Sequence, residues 1–247
     1  MMKKLLFSMI TILLAGWQLS GQITAPGVKW SDSYTFDRYN EMKVDFFAKG
    51  DVLMRTFVYK TWYNVADAGV TTTPGGLQVP RGNFCVLMDA PQKGSDIETI
   101  FDMTTGVAVQ IFGADAAEPM YNAGGFRFPE GDDIKKLELV PTHETRTIAG
   151  LLCKKYTYVF KKIFGSAWIT GEVTLPNDYG IFRAAKMAAL HNTLSGEGFV
   201  MEMTSEDAKG GKTVMTTVSL GKSEKRTINL PRAKMGTAMN KVNYFTF

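Results

Sequence analysis

The sequence predicts a mostly β protein: an antiparallel sheet with one helix. Apolar and polar residues alternate through most segments of the chain, and this is the period of a half-buried strand. Turn signals separate these segments about every eight to twelve residues, without the regular alternation of strands and helices that parallel sheets need. One Ala-rich stretch, 177–196, breaks the pattern with helical spacing.

The first half of the chain predicts a hairpin followed by three strands. The segments MKVDFFAK and VLMRTFVYKTWY alternate on either side of Gly50-Asp51, a dipeptide typical of tight turns between strands. NFCVLMD, IETIFDM and GVAVQIF continue the pattern. Two Gly- and Pro-rich stretches, 65–82 and 113–133, interrupt it and predict loops that are long for plain connections.

The second half continues with LELV, LCKKYTYVFKK and GSAWITGEV, and it ends in a predicted meander of three strands, GFVMEMTSED, TVMTTVSLGK and KRTINLP. Before the meander, the Ala-rich stretch predicts one helix at about 180–195. Asn177 or Asp178 is placed to cap its beginning, and Gly196 is placed to close its end.

The first 21 residues predict a signal peptide. Lys3 and Lys4 precede a short apolar run, and small residues come before Gln22, which is the order found in secretory signals. The apolar run is too short to span a bilayer comfortably, although a retained anchor helix is the alternative. Cleavage after Gly21 would leave residues 22–247 as a single domain with no transmembrane segment, either periplasmic or secreted.

Composition and motifs exclude several classes of function. The net charge is +4 with Lys and Arg spread along the chain, so the basic stripe expected of a nucleic-acid-binding protein is missing. The chain has no nucleophile elbow, zinc-protease motif, C-x-x-C pair or phosphate-binding loop. His143 beside Glu144 does not complete a metal site. We therefore expect no enzymatic activity, no cofactor and no metal.

The two cysteines, Cys85 and Cys153, both fall in predicted strands. Exported proteins can form disulfides, but pairing here would require neighbouring strands in matching register. Two buried free thiols are the default expectation, and a disulfide stays open. Cys153 lies on an alternating strand with no His or acid at a motif spacing, which favours a structural role over a nucleophilic one.

Several short motifs of the second half resemble the exported bacterial proteins that carry the domain of unknown function family 4412. The matching residues are Thr145, Thr147–Gly150, Cys153–Tyr156, Trp168–Thr170, Gly198, Glu202–Thr204 and Leu230-Pro231. The resemblance implies a lipoprotein-carrier-like (LolA-like) half-barrel, that is, a curved, unclosed antiparallel sheet wrapped around a helix, with an apolar concave face. It implies no catalytic residue. The insertion TTTPGGLQVPRG and Cys85 depart from the family pattern.

Two strands carry aromatic and methionine side chains at alternate positions, and one helix is too small to cover a curved sheet of this length. We therefore predict an apolar groove that stays open at one end of the sheet. The six residues predicted to line it are Tyr156, Tyr158, Phe160, Phe199, Met201 and Met203. Core filling is the simplest interpretation of the methionines, since their side chains repack easily; Cu(I) binding by thioethers is a third interpretation.

The sequence thus favours an exported, non-enzymatic binding protein of the cell envelope that holds a lipid or other apolar ligand on the concave face. A structural or interaction protein with an envelope protein as partner and no small ligand is the alternative, and a hydrolase with an unrecognised site is a weaker one. An unfilled apolar cavity would favour the first hypothesis, a filled core the second, and a converging polar trio the third.

Overall fold

The structure is a computed structural model, and it describes residues 28–90, 92–130, 138–160, 162–184, 188–231 and 235–236. The predicted signal peptide lies outside these residues.

Strands make up most of the described chain. The strands of the first half are β1 (Ser33–Ala48), β2 (Val52–Tyr63), β3 (Val70–Thr72), β4 (Gln78–Pro80), β5 (Phe84–Asp89), β6 (Ile97–Asp102), β7 (Val107–Phe112) and β8 (Met120–Gly125). Those of the second half are β9 (Leu139–Ile148), β10 (Leu151–Phe160), β11 (Ile163–Thr170), β12 (Phe199–Asp207), β13 (Lys212–Asn229) and β14 (Met235–Gly236). The helices are α1 (Tyr179–Ala184) and α2 (Ala188–Leu194).

Twelve strands form one sheet in the order β14-β8-β7-β6-β5-β2-β1-β13-β12-β11-β10-β9. Its pairings are antiparallel except for the short parallel one between β14 and β8. In the described residues the sheet does not close on itself, and β14 and β9 are its edges. This confirms the predicted class, a mostly β fold with an unclosed antiparallel sheet.

The central strand β1 joins the two halves of the chain, because it pairs with β2 on one side and with β13 on the other. The turn between β1 and β2 confirms the predicted hairpin. Gly50 and Asp51 both have positive φ angles, +79° and +59°, which is the conformation that tight hairpin turns require.

The predicted three-strand meander near the end is wrong in one respect, because its last two strands form a single strand, β13. Gly221 lies inside β13 with a φ of +63°, and its N–H donates to Asn40 Oδ1 at 2.9 Å. The register between β1 and β13 shifts on both sides of this region. Gly221 therefore marks a bulge, which bends the strand without ending it.

The predicted single helix is also wrong, since two short helices, α1 and α2, occupy this stretch and residues 185–187 between them lie outside the described part. The predicted start is confirmed, because Asp178 Oδ1 accepts the N–H of Ile181 at 3.1 Å, as a capping side chain does. After α2, Gly198 lies at a φ of +136°, and a Cβ there would collide with the carbonyl of Thr170.

The two faces of the sheet are covered by different parts of the chain. We call the face that packs against the helices the inner face. Its apolar cluster joins Phe182, Leu190 and Leu194 of the helices to strands from both halves of the sheet, so the sheet curves around the helices. Leu77 and Val79 are buried in the same cluster. The stretch predicted as a loop therefore forms the β3–β4 hairpin and covers part of the inner face.

The opposite face, called here the outer face, carries two separate apolar clusters. One surrounds Trp62 and Cys85 on the first half of the sheet, with Trp30 from before β1 packed against it. The other contains Cys153 and Met201 on the second half. Both cysteines are free and buried, and five strands lie between them in the sheet order, so they are too far apart to pair.

Candidate functional site

The six side chains predicted to line a groove do not lie together. Tyr158 and Met203 are buried in the inner cluster, with exposed fractions of 2% and 1%. Tyr156 packs against that cluster and is half-buried, and Phe160 at the end of β10 is also half-buried. The residues on this face belong to the packed interior more than to an open surface.

Phe199 and Met201 lie on the outer face, in the cluster with Cys153. The expectation that these two residues share a face with Met203 is therefore wrong. Trp168 of β11 pairs with Glu202, but the next residue pairs with Val200, so Met201 is an extra residue on β12. Such a bulge interrupts the alternation of side chains, and a simple period-two pattern cannot show it.

Three cavities that the described residues form on the inner face, near the helices, are small. Cavities lined by residues of the β1–β2 pair, of the β3–β4 hairpin and of the stretch leading into α1 measure about 10–20 Å³ each. Sites for drug-sized molecules occupy about 300–1,000 Å³, so an acyl chain does not fit here. The helices and the β3–β4 hairpin fill this part of the predicted concave groove.

An open groove of about 510 Å³ lies instead across β9, β10, β11 and β12. We call it the outer groove, because most of its side chains project from the outer face. Its apolar lining consists of Val140, Val159 and Phe164, whose exposed fractions are 52%, 70% and 49%. These large side chains are therefore accessible to a ligand.

Strand register brings these side chains together from three strands. Val159 of β10 pairs with Phe164 of β11, and Val140 of β9 pairs with Thr157 of β10. Thr157 and Val159 alternate with Tyr158, whose ring points to the inner face. The alternation of β10 therefore places its aromatic residues inside and its groove residues outside.

The rest of the outer groove is polar. Thr157, Ser166 and Thr204 contribute side chains with hydroxyl groups, and Glu138 and Glu206 contribute two carboxylates. The groove can therefore surround an apolar body and hydrogen-bond a polar end, which is the usual composition of a small-molecule site.

The floor of the outer groove is thin at Gly165, which pairs with Tyr158. The Tyr158 ring crosses Gly165, and its hydroxyl donates to the carbonyl of Thr204 at 3.0 Å and hydrogen-bonds to Ser205 Oγ. Burial raises the pKa of Tyr158 to about 12, so the phenol stays neutral. Tyr158 thus connects β10 with β12 beneath the groove.

Replacing Gly165 with Ala is expected to destabilise the protein by about 1–3 kcal/mol, the usual cost of overpacking. An added Cβ would collide with the Thr204 carbonyl and lie 2.6 Å from the Tyr158 hydroxyl. Gly171→Ala is the matched control, because no atom lies within 4 Å of a Cβ there. Urea denaturation compares the two variants, and a wild-type midpoint for Gly165→Ala would contradict this contact.

A charged cluster lies on the outer face beside the groove, centred on Trp168. The guanidinium of Arg146 lies 4.2 Å from the centre of the Trp168 ring, and the ammonium of Lys155 lies 5.6 Å from the same centre. Arg146 pairs with Glu202 at 2.5 Å, and Lys155 pairs with Glu144 at 2.8 Å. On the side of Trp168, the apolar surface of the groove is therefore bordered by side chains whose charges are paired.

A buried polar cluster around His191 was not predicted. His191 Nε2 lies 3.1 Å from the carbonyl of Asn177 and 3.3 Å from Ser195 Oγ, and Nδ1 lies 3.5 Å from Asn192 Oδ1. Burial lowers the pKa of His191 to about 4. In the described residues none of these partners is a carboxylate, so the Ser195–His191 pair lacks the acid that orients a catalytic histidine. The sequence signal for this cluster was the spacing of His191 and Ser195, which are four residues apart in the helical stretch.

Neither cysteine has the environment of a nucleophile. Burial raises the pKa of the Cys85 thiol well above its usual value, and the neighbouring Glu98 raises it further. Burial also raises the pKa of the Cys153 thiol, whose Sγ donates to the Leu151 carbonyl at 3.5 Å. Reactive cysteines need a stabilised thiolate, and both thiols here are held protonated.

Among the described residues, no three His, Cys, Asp or Glu side chains converge as ligands for a metal ion.

No helix within the described ranges has the length and hydropathy needed to span a bilayer.

Comparisons with known proteins give only loose similarities. No protein-family model matches the sequence, and no curated protein sequence matches it significantly. Two crystal structures of PNGF-II, in the C2 and P21 space groups, are similar at 11% and 10% identity with TM-scores of 0.38 and 0.36. The matched regions cover 81% and 83% of this chain. They cover 31% and 32% of PNGF-II, so this chain spans about a third of the length of that protein.

A LolA superfamily protein, NE2245 from Nitrosomonas europaea, is also similar, at 10% identity and a TM-score of 0.25 over 85% of this chain and 91% of its own. The resemblance to the domain of unknown function family 4412 has no support from a family model. These structural scores are too low to transfer a function, so the function must be argued from the residues of this chain.

Proposed function

We propose that this protein is a non-enzymatic binding protein of the cell envelope, periplasmic or secreted, and that it holds a lipid or other apolar ligand in the outer groove. The proposal keeps the class of ligand that the sequence favours and moves its site from the inner face to the outer face. The observation that carries it is an accessible groove of about 510 Å³ with three large apolar side chains.

The size and composition of the outer groove support this proposal. Its volume is within the range of about 300–1,000 Å³ typical of ligand sites. Val159 leaves 70% of its surface exposed, and covering such a side chain with an apolar ligand is favourable. Of the predicted site residues, only Tyr158 contributes to this groove; Met201 and Met203, with 0% and 1% exposure, act as core residues instead.

Titration with a fluorescent fatty-acid analogue tests the proposal. We expect saturable binding by the wild type and at least about tenfold weaker binding by Val159→Asp, because the variant removes apolar contact and adds a charge beside the bound chain. Val218→Asp is the matched control, since Val218 is a strand valine with 54% exposure and does not line the groove.

The same titration, together with an assay of ester hydrolysis, separates the alternatives. Absence of saturable binding by the wild type would favour an interaction protein with an envelope partner and no small ligand. Equal affinities of Val159→Asp and Val218→Asp would place the ligand outside this groove. Steady turnover of a neutral ester, lost in Ser195→Ala, would instead favour the hydrolase hypothesis.

A further inference from the structure

The tip of the β1–β2 hairpin exposes three consecutive apolar residues. Val52, Leu53 and Met54 have exposed fractions of 57%, 54% and 67%. They follow directly after the Gly50-Asp51 turn, in which both residues have positive φ. Three adjacent apolar side chains at a tight turn form a local apolar surface that the core of the protein does not use.

Strand pairing explains why this tip projects from the sheet. Phe46 pairs with Arg55 but Phe47 pairs with Leu53, so Met54 is the extra residue of a bulge and side chains near the turn do not alternate simply. On its other side, β2 pairs with β5 only from Val58 onward. In the described sheet, the first six residues of β2 thus have a partner strand on one side only.

The turn between β12 and β13 lies against this tip. Lys212 forms an ion pair with Asp51, and its Nζ lies 5.0 Å from the centre of the Phe47 ring. A Cβ added at Gly210 would lie 3.7 Å from Lys49 Cα. The two turns therefore form one continuous surface, called here the basic tip.

Positive charge surrounds the apolar residues of the basic tip. Its two segments, 49–55 and 207–212, contain four basic side chains and two carboxylates. The basic residues are Lys49, Arg55, Lys209 and Lys212, and the acidic ones are Asp51 and Asp207. Both carboxylates have partners within the tip, because Asp51 pairs with Lys212 and Asp207 accepts the backbone N–H groups of Lys209 and Gly211.

We propose that the basic tip docks this protein on an anionic lipid surface. Apolar side chains flanked by Lys and Arg suit the interface of a bilayer, where the apolar groups enter the acyl boundary and the cations remain at the head groups. Anionic lipids attract such basic segments. A protein strand added to the free edge of β2 would use backbone hydrogen bonds, but it would not explain the excess of positive charge.

The basic tip lies beside the β10–β11 turn, which borders the outer groove. The N–H of Ala208 donates to the carbonyl of Lys162 in that turn at 3.1 Å, and the groove residues Val159 and Phe164 flank the same turn. Docking through the tip would therefore bring the groove close to the membrane. The tip proposal goes beyond ligand binding and does not depend on it.

Vesicle flotation tests the proposal with the purified protein. The probes are vesicles of phosphatidylcholine alone and of phosphatidylcholine mixed with phosphatidylglycerol, at low and high salt. We expect the wild type to bind the anionic vesicles at least about tenfold more strongly than the neutral ones, and to lose most of this preference at high salt, because salt screens exposed charges. Met54→Asp should weaken binding about tenfold or more.

Two controls keep the result specific. Val218→Asp adds the same charge at another exposed valine and should leave vesicle binding unchanged. Met54→Asp should keep the wild-type affinity for the fatty-acid analogue, because Met54 does not line the outer groove, so failure of ligand binding and failure of docking are distinguishable.

Three results would overturn the proposal. The first is that the wild type shows no preference for anionic vesicles, and the second is that Met54→Asp binds vesicles as strongly as the wild type. The third is that vesicle binding is absent and sedimentation instead shows a concentration-dependent dimer that Met54→Asp abolishes. The last result would show that the tip is an interface between two copies of this chain.

Discussion

Replacing Arg226 with Met is expected to lower the free energy of unfolding by about 3–5 kcal/mol, the usual cost of leaving a buried charge without its partner. Glu98 is 3% exposed, and its Oε1 accepts hydrogen bonds from Arg226 Nε at 2.9 Å and Nη2 at 2.6 Å. The Cys85 thiol also donates to this oxygen, at 3.4 Å. A thiol alone cannot compensate for the lost guanidinium.

Urea denaturation measures this effect. Arg38→Met is the matched control, because Arg38 also hydrogen-bonds to β13, through Ser223 at 2.9 Å, but at an exposed site. We expect a change of no more than about 1 kcal/mol there. Adding Glu98→Gln to Arg226→Met should restore part of the stability, since a buried amide costs less than a lone carboxylate. A loss below about 1 kcal/mol in Arg226→Met would contradict this account.

The Glu98–Arg226 pair also shows which parts of the fold the sequence could predict. Alternation identified β6 as a strand and the two segments of β13 as extended, although as two strands instead of one, and Gly50-Asp51 identified the turn between β1 and β2. The contact between Glu98 and Arg226 depends on β1, β2 and β5 lying in order between β13 and β6. The pairing of β1 with β13 joins residues almost two hundred positions apart, from Ser33 to Asn229, and local periodicity carries no information about it.

Bulges limited the prediction of the site. Period-two patterns assign faces correctly only while the register is uninterrupted, and Met201 interrupts it in β12. On β10, where alternation holds around Tyr158, the separation of aromatic residues from Val159 was predictable. The outer groove was not predictable, because Val140, Val159 and Phe164 come from three strands whose order the sequence does not specify.

The helical region illustrates another limit. The cap at Asp178 is local and could be read from the residues, whereas the glycine with positive φ after α2 is Gly198 and not the predicted Gly196. The role of the Gly- and Pro-rich stretch could not be read from the residues. Leu77 and Val79 are two apolar residues in a stretch typical of loops, yet both are at most 1% exposed. Their burial depends on the inner face that the β3–β4 hairpin covers, and this is a property of the tertiary structure.

His191 predicts how stability depends on pH. Burial lowers its pKa to about 4 in the folded protein, whereas an exposed histidine has a pKa of about 6.5. The unfolded chain therefore binds a proton between these values that the folded protein does not bind, and stability falls as pH decreases from about 6.5 to about 4. The full effect is about 3 kcal/mol, from the size of the shift.

The structural cause is the packing of His191, which is part of α2, against α1. Its ring makes edge contacts with Tyr179 at 5.1 Å and Phe182 at 5.5 Å between ring centres. Nε2 lies close to the carbonyl of Asn177, whose side chain binds the N–H of Val200 at 2.8 Å. Protonation would bury a charge without a carboxylate partner and weaken the attachment of the helices to β12.

Urea denaturation at a series of pH values between 4 and 7, bounded by the two pKa values, measures the contribution of His191. We expect His191→Gln to be less stable than the wild type at neutral pH but to lose less stability on acidification. His143→Gln is the matched control, because His143 is the other histidine of the chain and lies exposed on β9; it should retain the wild-type slope. If His191→Gln also retains that slope, another group causes the pH dependence of stability, and the buried His191 ring does not contribute to it.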